Sequence, residues 1–183
     1  MGGEYLKHES LGSFDRVERD VTTPITVVVA TILVLLGPLY LPYALLYQAL
    51  FWIVFATIIV LHEIAHYFVL RLLGRYARIR LYLRLCSLLV EYEEIEWWEY
   101  IAVVTAPQVI IELPLLMLWI YSRDSVLYLL VWFHLLASLP DVINALRAAI
   151  LFRGCTLRLY KRQGRIIGYI VKKPNGEKIL FRL

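Results

Sequence analysis

The sequence predicts an α-helical integral membrane protein with about four transmembrane helices and small β-hairpin additions on the cytosolic side. Hydrophobic residues make up 61% of the 183 residues, and the mean hydropathy is +0.68. A soluble core of this size cannot bury so much apolar surface, so the excess is expected to face lipid. The basic residues flank the apolar runs, which indicates the lipid bilayer as a partner and no nucleic acid.

Four long apolar segments predict the membrane spans. They lie at about residues 25–41, 44–73, 97–121 and 125–152. A helix needs roughly 20 residues to cross the hydrocarbon layer. The last three segments reach this length, while the first is short and is closed by Pro38 and Pro42. Since no small-residue cleavage site follows it, we interpret the first segment as a retained span and not as a signal peptide.

The distribution of positive charge predicts the orientation. With four spans, the N-terminus, the loop between spans two and three, and the C-terminus share one side of the membrane. Of the 19 Lys and Arg residues, 18 fall in or beside these regions, and only Arg123 lies on the other side. The positive-inside rule therefore predicts a multi-pass cell-membrane protein with both termini in the cytosol. Few Asn and Gln residues, with many Arg, Tyr and Ile, indicate a thermophilic prokaryotic source.

The chain divides into a cytosolic N-terminal segment (1–24), a transmembrane core (25–153) and a cytosolic β segment (154–183). Within the core, residues 78–85 alternate polar and apolar side chains, and we expect them to pair with residues 88–92. The result is a membrane-edge hairpin over 78–92, with its turn at Cys86-Ser87. The β segment is predicted to hold three strands, which are Thr156–Lys161, Arg165–Lys172 and Lys178–Arg182, with turns at Gln163-Gly164 and Asn175-Gly176.

Span two carries three ionisable residues, His62, Glu63 and His66, in the order His-Glu-x-x-His. Such residues are costly inside a membrane and need an explanation. Residues four apart share one face of a helix, so the two imidazoles can hold one metal ion, and Glu63 projects beside them, where it can activate water. The alternative is a pair of core histidines bonded to other helices, which leaves three titratable groups without a role.

A catalytic zinc site needs a third protein ligand, and Asp141 in span four is the best candidate. Span two enters from outside near Ala44, which places His62 roughly 27 Å along a straight helix. Span four enters near Ser125, which places Asp141 roughly 24 Å along its own helix. Both groups are therefore expected at the same level of the membrane, in its cytosolic half.

Two rivals for the third ligand are weaker. Glu112 in span three lies roughly 22 Å from the inner end of that span, about two turns from the level of the histidines. A hydrogen bond to Gln108, four residues earlier, or a place on the substrate path is the expected role of Glu112. An acidic cluster precedes span three, and we interpret it as a solvated face at the membrane edge: Glu91, Glu93, Glu94 and Glu96.

Three further residues of span four bear on the site. His134 precedes Asp141 by seven residues and is expected two turns further out on the same face. It either bonds a substrate carbonyl or the developing oxyanion, or is a core histidine bonded to another helix. Asn144 is a candidate for orienting a ligand. Pro140 is expected to kink the span beside the carboxylate.

With these residues placed, the chain resembles the site-2 protease family of intramembrane zinc metalloproteases. Members carry HExxH in one transmembrane helix and a zinc-binding Asp in a later one, which correspond here to His62-Glu63-Ile64-Ala65-His66 and Leu139-Pro140-Asp141. The resemblance covers about residues 44–150. It implies Zn²⁺ as the cofactor, His62, His66 and Asp141 as its ligands, and Glu63 as general base. It also implies His134 as the residue that polarises the substrate.

The predicted function is hydrolysis of peptide bonds in the transmembrane segments of membrane protein substrates. Two rival classes stay open. One is a non-catalytic membrane protein of the same fold that binds client helices, although such a protein does not need the base Glu63. The other is a membrane metal-binding or transport protein, although transporters usually show paired half-repeats and none is visible.

Overall fold

The computed structural model describes residues 14–19, 22–35, 48–82, 87–162 and 165–182. Its helices are α1 (Thr22–Leu35), α2 (Gln48–Leu72), α3 (Trp97–Pro107), α4 (Leu113–Ser122), α5 (Ser125–Ala137) and α6 (Leu139–Leu151). A π-helical segment, Gln108–Glu112, joins α3 to α4. The strands are β1 (Arg16–Arg19), β2 (Ala77–Tyr82), β3 (Ser87–Tyr92), β4 (Ile95–Glu96), β5 (Thr156–Arg162), β6 (Arg165–Lys172) and β7 (Lys178–Arg182).

Two helical stretches among the described residues are long and apolar enough to cross a membrane. They are Leu50–Leu72 in α2 and Trp97–Ser122, which runs from α3 through the π-helical segment to the end of α4. The pair α5 and α6 gives a third span if its two bent halves are counted together. The predicted total of four spans is not confirmed, because α1 has only 14 described residues, and its predicted continuation to residue 41 lies outside the described part.

The last candidate span is broken at Ser138, where α5 and α6 meet at a bend of 48°. Pro140 occupies the first turn of α6. Proline lacks an N–H and fits the start of a helix but not its interior, so the break lies where the sequence predicts a kink. The bend turns the first residues of α6 toward α2 and α3.

The membrane-edge hairpin is antiparallel, and Ala77 pairs with Tyr92 at its base. Tyr82 pairs with Ser87, so Ser87 belongs to a strand and not to the turn that the sequence predicts for it. Cys86, the other residue of the predicted turn, lies outside the described residues. The hairpin follows directly after α2 and packs against it, next to the site described below.

The other sheet has five strands in the order β1-β7-β6-β5-β4. The three C-terminal strands lie at the residues that the alternating pattern predicts, and Asn175-Gly176 forms the second turn, with Gly176 at φ +89°. One addition is unexpected: the N-terminal strand β1 pairs in parallel with β7. Both ends of the described chain therefore meet in one sheet, on the side where α3 begins and α6 ends.

Two ion pairs with buried carboxylates join parts of the fold, one between this sheet and the hairpin and one between the end of α2 and α3. Lys161 of β5 lies 2.6 Å from the buried carboxylate of Glu91, and Arg75 lies 2.8 Å from the buried Glu99, which also caps α3. Glu91 is therefore a structural residue and not part of a solvated face, because β5 covers it. The other members of the predicted acidic cluster, Glu93, Glu94 and Glu96, are exposed.

Candidate metal centre

The helix α2 brings His62 and His66 together. Its sequence is apolar on almost every side, so it forms a helix that is not amphipathic, and many of its large side chains are exposed (Leu50, Trp52, Ile53, Leu61 and Phe68 among them). The two histidines are separated by one helical turn and lie on the face that packs against α3 and α5. Both side chains are buried, and their Nε2 atoms are 3.1 Å apart.

Asp141 comes from the first turn of α6, directly after the break. Its backbone N–H donates to the carbonyl oxygen of Ser138 at 3.0 Å, which closes the first turn of the helix. The carboxylate then projects toward α2. Its Oδ2 atom is 2.9 Å from Nε2 of His62 and 3.4 Å from Nε2 of His66, and its side chain is 20% exposed. The residues that the sequence proposes as ligands thus lie together.

The geometry of these three atoms fits a zinc ion. Tetrahedral zinc with bonds of about 2.0–2.2 Å holds its ligand atoms about 3.3–3.6 Å apart. The three separations are 2.9, 3.1 and 3.4 Å, so one lies within this range and the other two fall below it by less than half an ångström, a difference that small side-chain shifts can make up. Two imidazole nitrogens and one carboxylate oxygen are also the donor set of a catalytic zinc site, which leaves the fourth position for water or substrate.

The hydrogen bond on the far side of His66 supports the same conclusion. Nδ1 of His66 lies 2.8 Å from the backbone carbonyl oxygen of Val103, which can only accept, so Nδ1 carries the proton and donates it. If the imidazole is neutral, Nε2 of His66 therefore carries a lone pair. This nitrogen lies next to Nε2 of His62 and the carboxylate of Asp141. The lone pair of His66 and the carboxylate of Asp141 therefore converge as two acceptors, and a cation between them would remove their repulsion.

Glu63 lies beside this group. Its side chain is half-buried, and it interacts electrostatically with His66 and Asp141. Among the described residues, no group lies within hydrogen-bond or ion-pair distance of its carboxylate. A carboxylate without such a partner among the described residues, next to three side chains that can bind a metal ion, can hold and deprotonate a water molecule.

His134 and Glu112 are also part of this cluster. His134 is 0% exposed, with its Nε2 atom 3.2 Å from Nδ1 of His62 and its Nδ1 atom bonded to the carboxylate of Glu112. The sequence places both residues about two turns away from the histidines of α2. That estimate is wrong because it assumes straight α-helices, whereas span four breaks after His134 and span three contains a π-helical turn.

The expected pair of Gln108 with Glu112 is likewise absent. The π-helical segment has backbone bonds five residues apart, as in Leu113 N–H to the carbonyl of Gln108, so residues four apart no longer share a face. The amide nitrogen of Gln108 is placed to donate to the backbone carbonyls of Val104 and Thr105, at 2.9 and 3.0 Å. The carboxylate of Glu112 is hydrogen-bonded to Nδ1 of His134 instead. Pro107, at the end of α3, was the sequence signal for an irregularity here.

Comparison with family models matches residues 55–155 to the family described as "Putative zincin peptidase". The match contains the complete group of His62, Glu63, His66 and Asp141, together with Glu112 and His134. A zincin family implies zinc, and the His-His-Asp group can hold such an ion. No curated protein and no solved structure matches the chain.

Proposed function

The chain belongs to this zincin peptidase family, and on that premise we propose that it is an intramembrane zinc metalloprotease similar to the site-2 proteases. Its substrates are the transmembrane segments of other membrane proteins. The observation that carries the proposal is the convergence of Nε2 of His62, Nε2 of His66 and Oδ2 of Asp141 at separations of 2.9–3.4 Å. This convergence lies between helices whose outer surfaces are apolar.

The exposed side chains support the membrane part of the proposal. Large apolar residues cover the outside of α2 and α4, including Leu50, Ile53, Met117 and Leu118. A soluble monomer rarely exposes so large an apolar surface, and lipid is the solvent that such a surface suits. The pairing of β1 with β7 joins both ends of the described chain in one sheet. Together with the charge distribution, this supports a multi-pass membrane protein with both termini in the cytosol. The composition favours a prokaryotic cell membrane.

The proposed chemistry divides the work among four residues. His62, His66 and Asp141 hold Zn²⁺, which when bound supplies Lewis acidity to a peptide carbonyl and acidifies water. Glu63 takes the proton from the attacking water and passes it to the amine that leaves when the peptide bond breaks. The substrate helix unwinds locally before cleavage, because a hydrogen-bonded helix shields its own carbonyl carbons.

The substitution Glu63→Gln tests the proposal, because it keeps the size of the side chain and removes the base. The full-length protein is purified in detergent and loaded with zinc. Two probes are used: a polyleucine transmembrane peptide with a central Gly-Pro pair, and fluorescein-labelled casein. We expect cleavage of the peptide by the wild type, and a fall of about 10²–10⁴-fold in the variant at unchanged zinc content.

The outcomes separate the proposal from its rivals. Equal cleavage by wild type and Glu63→Gln would refute the role of Glu63. Cleavage of casein with no cleavage of the membrane peptide would point to a metalloprotease that acts outside the bilayer. Zinc flux across proteoliposomes that is the same in both proteins would favour the metal transporter, and capture of intact peptide by both would favour a binder of client helices.

A further inference from the structure

A chain of three side chains runs from span three to the metal centre. The carboxylate of Glu112 bonds Nδ1 of His134, and Nε2 of His134 lies 3.2 Å from Nδ1 of His62. His134 is fully buried, and the side chain of Glu112 is 13% exposed. Polar groups removed from water in this way are costly unless each of them finds a partner. Their contacts lead to a single atom, Nδ1 of His62.

We propose that Glu112 and His134 are positioning residues that fix the ring orientation and the proton arrangement of His62 as a zinc ligand. The argument follows from counting donors and acceptors. A carboxylate accepts, so Nδ1 of His134 carries a proton and donates it to Glu112. Nε2 of His134 then carries a lone pair and accepts a hydrogen bond from the N–H at Nδ1 of His62. As a result, Nε2 of His62 presents its lone pair to the metal centre.

In both proposed ligand histidines Nδ1, the nitrogen that does not face the metal centre, donates a hydrogen bond, but the two acceptors differ. Nδ1 of His66 donates to the backbone carbonyl of Val103, which is fixed by the helix α3. His62 has no such carbonyl and depends instead on the side chains of His134 and Glu112. Acceptors of this kind set the tautomer of a metal-binding imidazole and raise its affinity for the metal. Since Glu112 carries the charge at the end of the chain, it is the residue to change.

The same contacts argue against a direct role of either residue in the site. A histidine that polarises a substrate carbonyl needs a free nitrogen that faces the substrate, and both nitrogens of His134 contact protein groups. The carboxylate of Glu112 is directed at His134 and not at the three converging donor atoms. The π-helical segment produces this direction, and irregular turns of this type are frequent at functional sites.

Zinc affinity tests this inference, which depends on the zinc site of the proposed function but not on catalysis. The full-length protein in detergent is titrated with zinc against a chelator, and its Co²⁺ form is examined by absorption spectroscopy. Glu112→Leu removes the acceptor, and we expect zinc affinity to fall about 10–100-fold with a changed Co²⁺ spectrum. Glu112→Gln keeps an accepting oxygen, so we expect a smaller loss. Gln108→Leu, a control in the same π-helical segment, should bind zinc like the wild type.

Each result supports or overturns the inference. Wild-type zinc affinity in Glu112→Leu overturns it, and so does a variant that melts earlier without metal yet keeps its affinity. His134→Gln separates the two roles of His134: lower zinc affinity supports positioning, whereas unchanged affinity with reduced peptide cleavage assigns it to the substrate. If the wild type itself binds no stoichiometric zinc, the proposed function fails; if only Glu112→Leu behaves like the wild type, this inference alone fails.

Discussion

Replacement of Asp141 by Ala is the most direct test of the metal centre. The Oδ2 atom of Asp141 lies within 3.4 Å of both Nε2 atoms and supplies the negative charge among the three converging donors. Without it, two neutral imidazoles face the ion, and water must fill two positions. We therefore expect Asp141→Ala to bind zinc much more weakly than the wild type. Asp141→Asn, which keeps an oxygen but loses the charge, should lie between them.

The size of the effect follows from the number of ligands. Zinc sites with four protein ligands bind with about 10–16 kcal/mol, or roughly 2.5–4 kcal/mol for each ligand. Since a tenfold change in affinity corresponds to about 1.4 kcal/mol, the loss of one ligand predicts roughly 60- to 700-fold weaker binding. Water replaces part of the lost interaction, so we expect a value of about a hundredfold.

The assay is chelator competition on purified protein in detergent, with elemental analysis of bound zinc. Asp124→Ala is the matched control, because Asp124 is also a carboxylate next to the same span but caps α5 by accepting from Val126 and Leu127. Its loss should cost about 0.5–2 kcal/mol of stability and leave zinc affinity unchanged. If Asp141→Ala bound zinc as tightly as the wild type, Asp141 would not be a zinc ligand and the reasoning from the three converging side chains would be refuted.

Two further predictions concern the five-stranded sheet and the residue that precedes β5. A Cβ atom on Gly168 would lie 2.1 Å from the carbonyl oxygen of Phe181, so Gly168→Ala should loosen the pairing of β6 with β7 and destabilise the protein by about 1–3 kcal/mol; an unchanged melting temperature would contradict this. Burial raises the pKa of the Cys155 thiol. In a Cys86→Ser variant, which leaves Cys155 as the one thiol, iodoacetamide should therefore alkylate the native protein at pH 8 more slowly than the denatured protein. Equal rates would contradict the burial of Cys155. The stability that this thiol contributes is complete below its unfolded pKa of about 8.5 and declines as the pH rises toward the higher folded value.

The elements with a strong local signal are the ones that the sequence predicts well. Span two lies at the expected residues because a long apolar run is a local property of the chain. The hairpin and the three C-terminal strands do so because two-residue alternation and turn residues depend on neighbours in the chain. The strand β1 carried no such signal: its four residues are mostly charged, and they become a strand only because the edge of β7 is available. The predicted number of spans is not confirmed, since the break at Ser138 divides an apolar run that length alone counts as one helix, and the first predicted span has only 14 described helical residues.

The sequence by itself determined which side chains α2 offers to the candidate metal centre. Two imidazoles and a carboxylate lie within about one turn of this apolar helix, because residue spacing on a helix is a local property. The sequence also identified Asp141 as the carboxylate of the later span. Only the tertiary structure decided that Glu112 and His134 join these residues. Their position depends on a bend of 48° and a π-helical turn, and such irregularities arise from packing between helices that are far apart in the chain.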